Sequence, residues 1–299
     1  MTGPGTRDQS LIHYPGETLI RPLSDKEFAL FQAFVLREAG IYLSEMKKAL
    51  LVGRLTRRLR ELGLNSFGEY YRLMQSGDGR ERVIMLDLIC TNETYFFREP
   101  RQFEFLDEQV YPRWLAEAAS GARPKHIRAW SAGCSTGEEP FSIAMSLLSR
   151  FPADQGWKIE ILATDLSTKA LSVARGATWS IERSKGIPAS FLRRFMLKGT
   201  RSQEGKMKAG AEVRSVVQFQ RLNLNDEAYS APGPFDLIFC RNVLIYFNSE
   251  TRRRTVNKLL SHLSPGGYFL LGHAESLNRI TDRMRCAIPT VYFPVATKA

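Results

Sequence analysis

The amino-acid sequence predicts an α/β domain that follows a smaller all-helical domain. Three observations lead to this fold class. Apolar residues recur at helical spacing between 24 and 90, short apolar runs alternate with helical segments after His126, and 299 residues suffice for two cores at roughly 150 residues each. Strands that alternate with helices are typical of a parallel sheet with crossover helices, so we expect the second domain to be of that kind.

The chain begins with a segment that we predict to be a flexible arm, residues 1–22. Glycines and prolines are frequent in it, and it precedes the first periodic segment. The helical domain follows over 23–90. Its apolar residues recur at intervals of three and four, as one face of a helix requires: Phe28, Phe31, Phe34, Leu51, Leu55, Leu59 and Leu62.

An aromatic-rich connector, residues 91–125, leads to the α/β domain, which we place at 126–299. The strand candidates of this domain are short apolar runs at 126–131, 158–164, 216–222, 235–240 and 268–272. One stretch, about 177–213, breaks the alternation because glycines lie there among polar residues. We expect this stretch to be a small inserted β-subdomain.

The composition of the chain indicates which binding partners and which cellular compartment to expect. Forty-two basic and 31 acidic side chains give a formal net charge of +11, which favours an anionic partner. The cysteines, at 90, 134, 240 and 286, lack Cys-x-x-Cys spacing, so we expect neither a zinc site nor disulfides. No apolar run approaches the ~20 residues that span a bilayer, and no secretory signal is recognisable. These features predict a cytoplasmic protein without a metal and without membrane insertion.

A loop of small residues follows the first predicted strand, as expected for a nucleotide site. Residues 131–137 are all small, so a ligand can approach the backbone closely, and a helix with Pro140 in its first turn follows. The spacing is Gly133-x-x-x-Gly137, not the Gly-x-Gly-x-x-Gly of a pyrophosphate binder. Glu138 and Glu139 at the helix start repel a diphosphate. The loop therefore suits a cationic ligand with hydroxyls, such as S-adenosylmethionine; close strand-to-helix packing is the alternative explanation of its glycines.

Asp165 ends the second predicted strand, beside this loop. In folds of this kind a carboxylate at that place holds ribose hydroxyls. Asp165 also precedes a helical segment, so it is equally suited to accept hydrogen bonds from the free backbone N–H groups of a helix start. Together with the loop, the ligand interpretation is favoured.

Four segments give the sequence a family resemblance that covers most of the chain. They are residues 91–99 (TNETYFFRE), 131–142 (SAGCSTGEEPFS), 235–247 (FDLIFCRNVLIYF) and 272–276 (GHAES). With them the chain resembles the chemotaxis-receptor glutamate methyltransferases. The resemblance implies a helical N-terminal domain, a Rossmann-like S-adenosylmethionine-dependent methyltransferase domain, and transfer of methyl groups to glutamate carboxylates of chemotaxis receptors.

The same resemblance implies a set of site residues. The implied cofactor contacts come from five segments: Asn92, Thr94, Arg98, Glu139, Asp165, Asn223, Leu224, Arg241 and Asn242. Glu138 is the alternative to Glu139 for the polar end of the cofactor. Arg98 and Tyr246 are implied to lie at the reacting methyl group, and we take them as the catalytic residues. These site residues also have structural explanations: Asn223 and Asn242 could be turn residues, and Arg98 could belong to an ordinary ion pair.

The implied chemistry agrees with the scarcity of acid–base groups in the sequence. A glutamate side chain has a pKa of roughly 4.3, so it is deprotonated at neutral pH and needs no general base. None of the histidines, at 13, 126, 262 and 273, stands in a recognisable nucleophile or metal arrangement. Alignment of oxygen, methyl and sulfur in a water-poor site then supplies most of the rate enhancement.

Positive charge is concentrated on one helix of the helical domain. Between 47 and 60 there are six basic residues and no acidic one, and four of them fall on one flank: Lys47, Arg54, Arg57 and Arg58. We call these four residues the basic edge. A solvated helix face is the simpler explanation, but the resemblance supplies glutamate-rich receptor helices as a complementary partner. We therefore expect the basic edge to dock the substrate helix, more weakly as salt rises.

Three other functions fit parts of the sequence. A nucleic-acid methyltransferase fits the net charge, but Arg241-Asn-Val-Leu stands where amino-group methylases have Asn-Pro-Pro, and Cys240 lacks the preceding proline of carbon-directed enzymes. A non-catalytic regulator is less favoured because Arg98, Asp165 and Tyr246 are intact. A nicotinamide dehydrogenase lacks its glycine spacing. Without a long exposed apolar heptad pattern, we expect a monomer.

Overall fold

The structure is a computed structural model that describes residues 20–77 and 79–295. Almost all of the predicted arm, residues 1–22, lies outside the described residues. Within the described part, no helix is both long enough and apolar enough to cross a membrane.

The first domain is a bundle of short helices around an aromatic core. Its helices are α1 Asp25–Ala39, α2 Lys48–Glu61, α3 Phe67–Ser76 and α4 Arg80–Ile89. Helix α1 begins with a capping box, because Ser24 accepts a hydrogen bond from Glu27 N and Glu27 in turn accepts one from Ser24 N. The periodic residues of the sequence are the core: Phe28, Phe31, Phe34, Leu51, Leu55 and Leu59 are all buried.

The connector is mainly helical and joins the second core. After a coil over 91–99 come α5 Pro100–Phe105, a π-helical turn Leu106–Val110, and α6 Tyr111–Ala119. Phe103, Tyr111 and Trp114 are buried in the same apolar cluster as the strands of the α/β domain. The aromatic residues noticed in the sequence therefore fasten the connector to the sheet.

The second domain is built on strands and crossover helices. The described residues contain β1 His126–Ala132, β2 Lys158–Asp165, β3 Thr178–Ser180, β4 Met196–Lys198, β5 Lys206–Ala209, β6 Val217–Arg221, β7 Phe235–Cys240, β8 Leu263–Leu271, β9 Met284–Ile288 and β10 Val291–Pro294. The helices are α7 Glu138–Arg150, α8 Thr168–Gly176, α9 Ala189–Phe195, α10 Ala211–Ser215 and α11 Ser249–Leu260.

Seven of these strands form one sheet in the order β6-β2-β1-β7-β8-β10-β9. The pairs from β6 to β8 are parallel, and β10 runs antiparallel to both its neighbours. The expected α/β fold class is confirmed. The predicted strands are found at close to their predicted bounds, but the sequence did not predict the hairpin of β9 and β10.

The remaining strands form a separate three-stranded sheet in the order β3-β5-β4, with antiparallel pairs. This sheet lies within the stretch expected to be the inserted β-subdomain. It is attached to the main domain near the start of α7, where the indole of Trp179 donates to Thr136 O at 3.1 Å. Phe96 and Phe141 both pack edge-on against the same indole.

Candidate active site

A cavity of about 280 Å³ lies where the carboxyl ends of the parallel strands meet the helical domain. Its walls come from the ends of α1 and α4, the coil of the connector, and the loops that follow β1, β2, β6 and β7. In open α/β sheets this edge is where ligands bind. All the predicted site residues line it: Asn92, Thr94, Arg98, Glu139, Asp165, Asn223, Leu224, Arg241, Asn242 and Tyr246.

The loop after β1 forms the floor of the cavity, and its glycines are required by geometry. Gly133 and Gly137 have φ of 95° and 98°, a region that side chains rarely adopt. A Cβ on Gly133 would lie 2.4 Å from Val243 Cγ2. Gly133 N and Cys134 N both donate to Thr164 O, at 2.8 and 2.9 Å, so the loop is folded back against β2.

Asp165 stabilises this loop from the end of β2. Its Oδ2 accepts a hydrogen bond from Ser135 N and its Oδ1 accepts one from Ser167 N, both at 2.8 Å. The side chain that caps α8 is that of Ser167, which accepts from Ala170 N. Asp165 thus accepts from a backbone N–H just before the helix, as its structural alternative predicts, while the N-cap side chain of α8 itself is Ser167. Burial raises the pKa of the Asp165 carboxyl, although the backbone donors act against this rise.

Glu139 points into the site, whereas Glu138 points away from it. Glu139 Oε1 accepts from Ser131 Oγ and its Oε2 accepts from Arg241 Nε, both at 2.7 Å. Glu138 is fully buried under the β-subdomain, where it pairs with Arg183 and accepts from Thr136 Oγ1 at 2.6 Å. Of the two candidates, only Glu139 is in contact with the cavity.

Arg241 joins the loop to the connector. Its guanidinium is almost completely buried and forms an ion pair with Glu139. The same guanidinium donates to Arg98 O and, at 3.2 Å, to Gln102 Oε1. Gln102 was not predicted as a site residue; it is buried and donates to Leu271 O and Thr290 Oγ1, at 2.8 and 2.7 Å. Its only sequence signal was a polar residue between the aromatic residues of the connector.

The connector residues lie over the cavity as a roof. Asn92 O accepts from Ser135 Oγ at 2.9 Å, which joins the coil to the loop. The guanidinium of Arg98 stacks over the ring of Tyr95, 5.4 Å from its centroid, and donates to Glu93 O at 3.4 Å. Arg98 makes no salt bridge with a carboxylate of the described residues, so its charge is available to a ligand.

The segment after β7 forms the opposite wall and is held by Glu275. The carboxylate of Glu275 accepts from the backbone N–H groups of Asn242, Ile245 and Gly272, at 2.8, 3.2 and 2.7 Å. Asn242 has a φ of 57°, and its Oδ1 is buried without a hydrogen-bond donor among the described residues. This oxygen is an unused acceptor in the wall of the cavity.

Tyr246 stands at the mouth of the cavity. Burial raises the pKa of its hydroxyl, although the nearby Thr91 acts against this rise, and the phenol is neutral at physiological pH. The ammonium group of Lys47 lies 5.2 Å from the centroid of its ring. The backbone of Tyr246 also touches the helical domain, because its carbonyl accepts from Tyr42 N at 2.8 Å.

Asn223 is a turn residue, which is the structural alternative considered for it, and it also lines the cavity. Its Oδ1 accepts from Asn225 N at 3.0 Å, as a turn residue does, while its Nδ2 donates to Glu38 O at 2.6 Å. It thereby joins the turn after β6 to α1. Leu224 is buried in the next position and supplies apolar lining.

The structure corrects the prediction that the basic edge is a continuous row of free charges. Arg54 donates to the carbonyls of Ile89 and Cys90 and to Thr91 Oγ1, and so supports the start of the connector. Arg58 pairs with Glu81 at 2.6 Å and with Glu61. Arg57 also pairs with Glu61 but is largely exposed. The edge is therefore interrupted by carboxylates from outside the 47–60 segment, which the local sequence pattern did not include.

The other reactive groups lie outside the cavity except for Cys90, which lines it. Among the described residues no cluster of histidine, cysteine or acidic side chains is arranged to hold a metal. The four cysteines are free. Cys240 is completely buried and its pKa is raised well above the usual value by burial, which agrees with a structural thiol. The side chain of His273 is exposed, and its backbone N–H donates to Glu99.

The lining fits S-adenosylmethionine. The carboxylates of Glu139 and Asp165 and the free Oδ1 of Asn242 are acceptors, which suit an amino group, a sulfonium and ribose hydroxyls. The one cation at the floor, Arg241, is neutralised by Glu139. A diphosphate would meet these carboxylates, so a dinucleotide does not fit.

Comparison with known proteins shows the family to which the chain belongs. The family model described as "CheR methyltransferase, SAM binding domain" matches residues 92–293, and "CheR methyltransferase, all-alpha domain" matches residues 26–90. The chemotaxis protein methyltransferase of Escherichia coli (strain K12) is 37% identical over 272 residues, covering 90% of this chain and 91% of that protein. That of Borreliella burgdorferi is 36% identical over 272 residues, covering 90% and 94%. The chain belongs to the CheR methyltransferase family.

Proposed function

We propose that this protein transfers the methyl group of S-adenosylmethionine to glutamate side chains of chemotaxis receptors and so forms glutamate methyl esters. One observation carries the proposal. A single cavity combines an acceptor-rich floor, at Glu139 and Asp165, with an unpaired cation and a phenol at its mouth, Arg98 and Tyr246. The first pair suits the methyl donor, and the second suits a carboxylate that enters from outside.

The floor and the walls hold the cofactor. Glu139 and Asn242 Oδ1 face the amino acid end, Asp165 binds the ribose hydroxyls, and Asn223 and Leu224 flank the adenine. Asn92 and Thr94 cover the ligand from the connector. Arg241 acts through its partners, because it fixes the Glu139 carboxylate and the backbone of Arg98. The bound cofactor supplies an electrophilic methyl group on its sulfonium.

The protein side of the reaction consists of orientation. A receptor glutamate is already ionised at neutral pH, and the described lining of the cavity contains no histidine that would act as a base. Arg98 holds one oxygen of that carboxylate while the other oxygen attacks. Tyr246, whose phenol is neutral at this pH, donates its hydroxyl proton in a hydrogen bond that fixes the approach. Exclusion of water strengthens both interactions.

The partner is the glutamate-rich methylation helix of a receptor, which docks on the basic edge. The protein acts on it as a monomer in the cytoplasm. Lys47 and Arg57 contribute most, since Arg54 and Arg58 are engaged within the helical domain. Receptor binding by the wild type should weaken as NaCl rises from 0.05 to 0.5 M, because exposed charges are screened. Lys47→Gln with Arg57→Gln should flatten this dependence, whereas Lys26→Gln with Arg285→Gln, remote from the cavity, should leave it unchanged. A salt-independent wild type would contradict docking by charge.

The proposed function is tested by methyl transfer. Purified protein is incubated with receptor-containing membranes and S-adenosylmethionine labelled in its methyl group, and the products are then treated with alkali. We expect label on the receptor that is released as volatile methanol, because esters are base-labile. Base-stable label, on protein amines or nucleic acid, would replace this proposal with the rival methyltransferase functions. Cofactor binding without any transfer would instead favour the non-catalytic regulator.

A further inference from the structure

Exposed apolar side chains gather around the mouth of the cavity. Nine large apolar residues are exposed among the described residues, and five of them belong to segments that border the mouth: Tyr42, Met46, Leu50, Tyr95 and Ile245. We call these five the apolar rim. The other four are on separate surfaces: Leu30, Leu73, Val173 and Leu197. Single exposed apolar residues are common, but a group at the opening of an active site indicates an interaction surface.

The contacts of each rim segment place it at the opening. Leu50 and Ile245 line the cavity directly. Tyr42 N donates to Tyr246 O, and Met46 precedes Lys47, whose ammonium lies over the Tyr246 ring. Tyr95 lies under the guanidinium of Arg98 on the connector side. The rim thus combines elements of the helical domain, the connector and the α/β domain.

Met46 is the most unusual member. Its side chain is 90% exposed, so the described residues leave a flexible apolar group in water. Methionines in such positions adapt to partners of irregular shape. It lies in the 3-10 turn Glu45–Lys47, four residues before Leu50 of α2, so both side chains belong to the same short stretch of the helical domain.

We propose that the apolar rim is a specificity surface that reads the residues on either side of the target glutamate in a receptor helix. The inference rests on the proposed function. A glutamate on a helix can enter the cavity only if its helix lies across the mouth. Residues three or four positions away share its face and then meet the rim. The carboxylate is attracted by the uncompensated Arg98 and Lys47, while the apolar neighbours pack on Met46, Leu50 and Ile245. The occupant is an amphipathic helix with small or apolar residues at those positions.

Steady-state kinetics with a receptor cytoplasmic fragment test the proposal. We expect Met46→Ser and Ile245→Ser each to raise KM for the receptor about tenfold with kcat within about twofold, since a central interface side chain typically contributes this much. The rise in KM should persist in 0.5 M NaCl, whereas the contribution of the basic edge to receptor binding should be screened at that salt concentration. Leu50→Ser should raise KM in the same way, and Leu73→Ser is its matched control, because Leu50 and Leu73 are 37% and 38% exposed. The control should keep the wild-type KM.

The outcomes separate this inference from the function on which it rests. If the wild type forms methyl esters on receptors but the rim variants keep its KM, the rim is not a specificity surface and the proposed function stands. An equal rise of KM in Leu73→Ser would also overturn the proposal. If the wild type forms no base-labile ester, the proposed function and the specificity surface are both contradicted. Binding of S-adenosylhomocysteine by Met46→Ser, measured by calorimetry, should equal that of the wild type, because Met46 does not line the cavity.

Discussion

Arg98 is the residue whose removal should affect the reaction most directly. Its guanidinium faces the cavity without a carboxylate partner among the described residues, so folding does not depend on its charge. We expect Arg98→Ala to lower kcat/KM by about 10- to 100-fold, the loss of a charge-assisted hydrogen bond, and to leave the unfolding curve unchanged. Arg101→Ala, an exposed neighbour outside the cavity, is the control. Unaltered turnover by Arg98→Ala would remove Arg98 from the mechanism.

Arg241 differs from Arg98 because it is buried in an ion pair. Arg241→Leu leaves the Glu139 carboxylate uncompensated and should reduce the free energy of unfolding by about 3–5 kcal/mol. In a Glu139→Gln background, Arg241→Leu should reduce the free energy of unfolding less, because no buried carboxylate is left unpaired. Urea unfolding of the single and double variants gives the coupling energy. Additive effects would mean that the two side chains act independently.

At the scale of elements, Glu81 fastens α4 to its neighbours. It accepts from Arg58 of α2 and, at 2.9 Å, from the hydroxyl of Tyr70 in α3. Bonding to Arg58 lowers the pKa of the carboxyl. A lowered carboxyl pKa gives stability that is present above the unfolded value and lost as pH falls through the folded value.

Glu81→Gln should therefore destabilise the helical domain at pH 7, by about 2 kcal/mol, and much less at pH 3.5. Glu61→Gln is the comparison and should destabilise much less, because its carboxylate, which pairs with Arg57 and Arg58, is exposed to solvent. Unfolding is followed by circular dichroism at both pH values. An equal loss at the two pH values would show that the charge of Glu81 is not the cause.

The elements also show what the sequence made predictable. Strands β1, β2, β6 and β7 were predictable because each has apolar residues in a short run or in alternation with polar ones. The site loop was predictable because small residues follow β1. The hairpin of β9 and β10 was not, since β9 is largely exposed and its Arg285 and Cys286 break any apolar run. The hydrogen-bond and ion-pair partners of Arg58, Arg241 and Gln102 were not predictable from the sequence either. Those contacts join residues far apart in sequence, and no local periodicity encodes them.

At the scale of the whole molecule, cofactor binding should stabilise both domains together, because the cavity is lined by each of them. S-adenosylhomocysteine at 100 times its Kd should add about 2.7 kcal/mol to the free energy of unfolding. Thermal melts with and without the ligand measure this. The dinucleotide NAD⁺ is the control, since the carboxylates of the floor repel its diphosphate. Stabilisation by NAD⁺ would contradict the ligand class inferred for the loop.

The two domains are joined on both sides of the cavity, by Tyr42 N to Tyr246 O on one side and by Asn223 Nδ2 to Glu38 O on the other. The entropy of bringing these walls together is therefore lost during folding, before any ligand arrives. A preorganised pocket needs no hinge closure to reach its binding geometry. Association with the methyl donor should consequently be a single kinetic step, whose observed rate rises linearly with ligand concentration.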